Sequence, residues 1–152
     1  MTENKMQRRG FLQCMAAAVA LVLIKPINAF AAIWNSSAFE AVKLDEVTNH
    51  LNVEVEIVSQ DIIIMAPDQA ENGAIVQVEV TSNIANTESM AILVENNPTP
   101  LIAHFTFTNG AEPYIVTRIK MAETSDIKIL VKAGDQYFSN TKNVIVLENG
   151  CG

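Results

Sequence analysis

The stretch Ala74-Ile75-Val76-Gln77-Val78-Glu79-Val80-Thr81 decides the fold class. Val76, Val78 and Val80 fall on one side of an extended chain, Gln77 and Glu79 on the other. A period of two marks a strand with one buried and one wet face. The same texture recurs in both directions. Residues 53–59 alternate, and residues 61–65 form a short aliphatic run stopped by Pro67. Residues 90–95 are the next run, closed by Asn96-Asn97-Pro98. Residues 101–108 turn Phe105 and Phe107 inward and His104 outward, and residues 114–121 set Ile115 and Ile119 against Arg118 and Lys120. Residues 127–132 and 136–139 flank Ala133-Gly134-Asp135, a hairpin signal, and residues 143–147 make the last strand. Eight or nine short alternating strands predict an all-β fold, two antiparallel sheets enclosing one core.

A single helix is expected over residues 34–51, where Ser37 and Glu40 fit a capping box and Phe39, Val42, Val47 and Leu51 form a stripe. Met65, Met90 and Met121 read as core filler. No internal repeat or linker divides the body.

Residues 1–31 read as an export signal and are set aside from the fold. Arg8-Arg9 followed by Gly10-Phe11-Leu12 resembles the twin-arginine pattern, an apolar run extends from Cys14 to residue 24, and Ala29-Phe30-Ala31 places cleavage after Ala31. The expected location is the periplasm, with no membrane anchor. Removing residues 1–31 takes four of the ten basic residues and one of the seventeen acidic, leaving 121 residues with net charge −10. That acidity, with few aromatics, argues against nucleic acid and anionic membranes and favours basic-faced protein partners.

One cysteine is left, Cys151, in Asn149-Gly150-Cys151-Gly152. Cysteines in an oxidising compartment normally pair, so an odd one signals an intermolecular bridge or a functional thiol. Its glycine neighbours read as a flexible arm over residues 149–152, beyond a sandwich domain over residues 32–148. Activation of a thiol needs a base, a cation or a helix N-terminus. Glu148 is negative, and His50 and His104 are far off in sequence. The chain therefore reads as bearing a nucleophile without the means to activate it, the profile of a carrier arm rather than an enzyme. No phosphate loop, nucleophile elbow or metal signature is present, and neither a metal nor another cofactor is expected. Two other classes stay open: an exported structural or adhesive module dimerising through Cys151, and a thiol-dependent redox enzyme.

The tail Gly150-Cys151-Gly152, the Arg8-Arg9 signal and a series of stretches in the body together resemble the SoxY family of periplasmic thiosulfate oxidation. The stretches are Ile64-Met65-Ala66-Pro67-Asp68-Gln69-Ala70-Glu71-Asn72-Gly73, Leu93-Val94-Glu95-Asn96-Asn97-Pro98, Ala103-His104-Phe105, Glu112-Pro113-Tyr114, Thr117-Arg118-Ile119-Lys120-Met121 and Thr124-Ser125-Asp126. The family ends in Gly-Gly-Cys-Gly-Gly; here Asn149 replaces the first glycine and the last is missing. The resemblance implies an immunoglobulin-like antiparallel sandwich working as a heterodimer with SoxZ. It implies Cys151 as the covalent sulfur attachment point on a swinging arm formed by Asn149, Gly150 and Gly152. It further implies transient docking to the haem enzyme SoxAX, which couples thiosulfate to the thiol, to SoxB, which releases sulfate and leaves a persulfide, and, where present, to SoxCD.

Overall fold

The computed structural model describes residues 35–148. The signal read at Arg8, Arg9, Phe11 and Leu12, and the arm residues Asn149, Gly150, Cys151 and Gly152, lie outside the described residues. Among those described, two short helices precede nine strands: α1 Ser36–Glu40, α2 Leu44–His50, β1 Glu56–Val58, β2 Ile62–Met65, β3 Gln69–Asn72, β4 Val76–Ser82, β5 Thr87–Val94, β6 Leu101–Thr106, β7 Tyr114–Ile119, β8 Ser125–Ala133 and β9 Gln136–Glu148. None of the described helices is long and apolar enough to cross a membrane.

The alternating strands form the expected sandwich. The smaller sheet runs β2-β4-β7, all antiparallel. The larger runs β1-β9-β8-β5-β6, with β3 added to β9. Val76, Val78 and Val80 of β4 and Ile115 and Ile119 of β7 point into the gap between the sheets. There they meet Met90, Ile92 and Val94 of β5, Ile127, Ile129 and Val131 of β8, and Val144 and Val146 of β9. Phe105 and Phe107 pack against this core half-buried. Met90 and Met121 are fully buried, but Met65 faces solvent. Inward positions on β2 belong to Ile62 and Ile64, and a strand presents its next residue outward.

Four details differ from the sequence reading. The single helix is two, because buried Ala41 is extended (φ −61°, ψ 137°). The cap is Asn35, whose Oδ1 accepts from Ala38 N at 3.2 Å, in place of the Ser37–Glu40 box. Asn52, at φ 58°, ends α2 with Val53 N donating to Thr48 O and Asn52 N to Asn49 O, a Schellman arrangement. The break brings Ala38, Ala41 and Val47 onto the outer face of the larger sheet, against Ala91, Leu93, Leu101 and Leu130, and leaves Val42 in solvent.

The second detail is β3, a strand of polar texture. Third, residues 136–148 are one strand of 13 residues rather than two. Gly134, at φ 59°, supplies the left-handed position of the tight turn that joins it to β8. Fourth, β1 and β3 join β9 in parallel, beside residues 137–139 and 145–148. Ser139 O accepts from Ser59 N, and Ile145 N donates to Asp68 O. Peptide groups two residues apart point the same way, so β1 and β3 share one edge of β9. Between them the chain crosses to the smaller sheet as β2.

Candidate functional site

The last described residues of β9 lead directly into residues 149–152, where the sequence places the expected arm, and form its root. β3 lies beside them with Asn72 opposite Glu148. Glu148 O accepts from Gly73 N at 2.9 Å, and Gly73 O accepts from Met121 N at 2.8 Å. Val146 N donates to Thr124 Oγ1 at 2.9 Å. The strand is thus held on both sides up to its last described residue. The β7–β8 loop is fixed in turn by the β5–β6 loop. Asn97 donates to Lys120 O at 2.8 Å and accepts from Ala122 N at 2.7 Å, and Asn96 Nδ2 donates to Thr124 O at 2.9 Å. In the sequence, Asn96-Asn97-Pro98 reads only as a strand stop. That two side chains pin a loop across the sandwich end has no local signal.

Cys151 follows Glu148 by three residues, so its backbone reaches at most about 11 Å from that of Glu148. Glu71 and Glu148 at the root are exposed, and neither takes part in the three ion pairs among the described residues, Lys128–Glu56, Lys132–Glu88 and Lys142–Asp68. The histidines lie elsewhere. His104 on β6 is level with Ala91, Leu130 and Ser139 on successive strands. Three strand spacings put it about 14 Å sideways from β9, and the nine residues from Ser139 to Glu148 add about 30 Å lengthwise. Burial of part of its ring lowers the His104 pKa. His50 shares a cavity of about 150 Å³ with His104, Tyr137 and Lys132. Tyr137 closes it by donating to Leu51 O at 2.7 Å. Both histidines are farther from Glu148 than the three residues leading to Cys151 can span.

Two further surfaces are apolar and open. On the outer face of the smaller sheet, Ile63 lies level with Thr81 and Tyr114, and Met65 with Glu79 and Val116. Ile63, Met65, Tyr114 and Val116 are all exposed. Tyr114 hydrogen-bonds Glu79, which raises its pKa, with burial and the carboxylate charge adding to the effect. The other surface is at the end of β9, where Ile145 and Leu147 face outward.

No curated protein matches the chain. A solved structure of the sulfur carrier protein SoxY from Chlorobium limicola f thiosulfatophilum is 29% identical, with a TM-score of 0.62, over 67% of this chain and 93% of that one. A structure of the bacterial superantigen toxic shock syndrome toxin-1 covers 57% of this chain and 99% of that one, at 13% identity and a TM-score of 0.39. The family model described as sulfur oxidation protein SoxY matches residues 49–151, a range that takes in the whole sandwich and ends on Cys151. The chain belongs to the SoxY family of sulfur oxidation proteins.

Proposed function

We propose that the protein carries sulfur intermediates of thiosulfate oxidation as covalent adducts of Cys151 and presents them to other enzymes. The observation that supports this best is the placement of the root: the last strand is held rigidly to Glu148, three residues short of the thiol. Both histidines stay roughly 30 Å away along the sheet. A thiol without a base is inert alone and reacts where another protein supplies the base, the charge and the electron acceptor. The chain is therefore a carrier subunit, not an enzyme, and Asn149, Gly150 and Gly152 give the arm its freedom to swing.

In the first step the Cys151 thiolate and thiosulfate form a sulfur–sulfur bond, giving Cys–S–S–SO₃⁻. The two electrons released pass to the haem of SoxAX. In the second, water attacks the terminal sulfonate under SoxB; the bond to that sulfur breaks, sulfate and two protons leave, and a persulfide anion stays on Cys151. SoxCD, where present, oxidises that sulfane sulfur. The site of action is the periplasm, reached by twin-arginine export directed by residues 1–31, which are cleaved off to leave residues 32–152. The open apolar face at Ile63, Met65, Tyr114 and Val116 supports a standing partner, SoxZ.

The test is mass spectrometry of the protein after thiosulfate feeding, together with Cys151→Ser in the reconstituted system. Sulfur adducts on Cys151 and loss of all turnover in the serine variant are expected. Full turnover by that variant sinks the carrier role, and a disulfide homodimer free of adducts assigns the chain to a structural module instead.

A further inference from the structure

We infer that the ledge made by Ile145 and Leu147, on the outer face of β9, is where the enzymes that act on Cys151 dock. The inference rests on Cys151 being the carrier thiol. It names the surface that brings that thiol to an active site.

The pattern of β9 isolates the ledge. Its exposed outer-face positions are polar at Thr141 and Asn143, then apolar at Ile145 and Leu147, while Ser139 farther back is buried. Val144 and Val146 between them are buried in the core. Residues 144–147 thus form an unbroken apolar run, the texture of a strand covered on both faces. Only one face is covered. Ile145 and Leu147 are 46% and 58% exposed. The helices that cover the outer face of this sheet pack farther along it, on Ala91, Leu93, Leu101 and Leu130.

The margin of the ledge is polar and acidic. Parallel register puts Gln69 of β3 beside Ile145 and Glu71 beside Leu147, on the same face, while Ala70 turns inward with Val146. Asn143 and Asp126 are hydrogen-bonded to each other at 2.7 Å on the other side. An apolar centre within a polar rim is the anatomy of a protein interface. Its unpaired carboxylates, Glu71 and Glu148, call for a basic margin on the partner.

The arm selects the occupant. Cys151 is four residues beyond Leu147, so its backbone stays within about 14 Å of the ledge whatever path the arm takes. An enzyme that draws this sulfur into a cleft must set the mouth of that cleft within the same distance. The other open surface, at Ile63 and Met65, is on the far side of the sandwich, beyond a core about 10 Å thick, and faces away. The occupant of the ledge is therefore an enzyme whose active-site mouth has an apolar lip and basic margin.

The test uses the carrier co-expressed with its partner subunit, and the enzyme that joins thiosulfate to the carrier thiol with electrons leaving to haem. Ile145→Thr/Leu147→Thr puts β-branched strand formers at both positions and removes the apolar ledge. Val42→Thr/Val58→Thr, at exposed apolar positions outside both open surfaces, serves as the control. The ledge variant should raise KM for the carrier about tenfold, as loss of central interface contacts does, with kcat changed less than about twofold. Its Cys151 should react with a small alkylating reagent at the parental rate, and its unfolding midpoint should stay within the range of surface changes. If the double variant does not fold, Leu147→Thr alone carries the test, with a rise of about threefold expected. An unmoved KM with sulfur still loaded on Cys151 overturns the ledge and leaves the carrier reading standing. An equal rise in the control overturns it as well. Full turnover in Cys151→Ser overturns the carrier reading itself.

Discussion

Leu93→Ala probes how the two helices are held. Leu93 lies on the outer face of β5 and is 0% exposed. Its cover is α1 and α2, through Ala38, Ala41 and Val47. These helices have five and seven residues. Isolated helices shorter than about 12 residues are marginal in water, so both depend on this contact. Truncation to alanine removes three carbons from a closed site. At about 0.8 kcal/mol per carbon, transfer alone costs about 2.4 kcal/mol. The helices and the strand cannot fully close the gap, and the cavity raises the loss to about 3–4 kcal/mol. The same kind of truncation at Val58, 75% exposed on β1, should cost less than about 0.5 kcal/mol. Urea unfolding followed by circular dichroism reads both. The Leu93 variant should show a lower midpoint at unchanged m-value, with amide protection in residues 36–50 lost before that of β5 and β8. A loss below about 1 kcal/mol would refute the account, because a leucine covered by two helices cannot be removed so cheaply.

Asn97→Ala breaks two hydrogen bonds that fix the β7–β8 loop beside the arm's root, and should cost about 1–2 kcal/mol in urea unfolding; a neutral variant means the loop is held without them. His104 gives a pH signature. Burial holds its folded pKa below the ordinary 6.5, so the unfolded chain takes up the proton first as pH falls. Stability should be complete above the ordinary value and decline through the window below it, and His104→Gln should flatten that part of the profile. His50 and Lys132 line the same cavity and stay in both proteins, so the difference between them isolates His104. Identical unfolding midpoints against pH for parent and variant would remove this role.

What was readable in the sequence follows from where each strand's two faces end up. β4 and β7 have one wet face each, and Val76-Gln77-Val78-Glu79-Val80 shows it directly. The run at β5, Met90-Ala91-Ile92-Leu93-Val94, announces cover on both faces without saying by what. The cover is α1 and α2, and it rests on Ala38 and Ala41, residues too small to stand out in a hydrophobic stripe. Ala41 ends α1 without the proline or glycine that usually signals a break. β3, Gln69-Ala70-Glu71-Asn72, has one inward residue and exists because the long edge of β9 offers it a partner. The polar centre of β9, Asn140-Thr141-Lys142, suggested a gap between two strands. In the folded chain Asn140 Nδ2 donates to Ile62 O at 2.7 Å and Lys142 pairs with Asp68, so these polar residues tie β9 to β2 and to the β2–β3 segment. Propensity assigns such residues to turns, and tertiary partners keep them in the strand.

The candidate thiol was legible for a different reason: an odd cysteine between glycines stands out in any exported chain. The distance from it to a base was not legible, since sequence separation does not fix spatial separation in a sandwich. His104 and Cys151 are 47 positions apart, and a different strand order would have made them neighbours. The order β9-β8-β5-β6, with His104 level with Ser139, is what separates them. This bears on how a carrier remains useful. A thiol beside its own imidazole would be activated all the time, and in an oxidising compartment it would be lost to any oxidant or disulfide it met. On the proposed carrier reading, with both histidines at the far end of the sheet and carboxylates at the root, activation falls to the enzyme that docks. As the proposed docking surface, the Ile145–Leu147 ledge then does more than add affinity. It makes entry of the arm conditional on contact with the sandwich, so an enzyme without a matching lip does not hold the thiol long enough to use it.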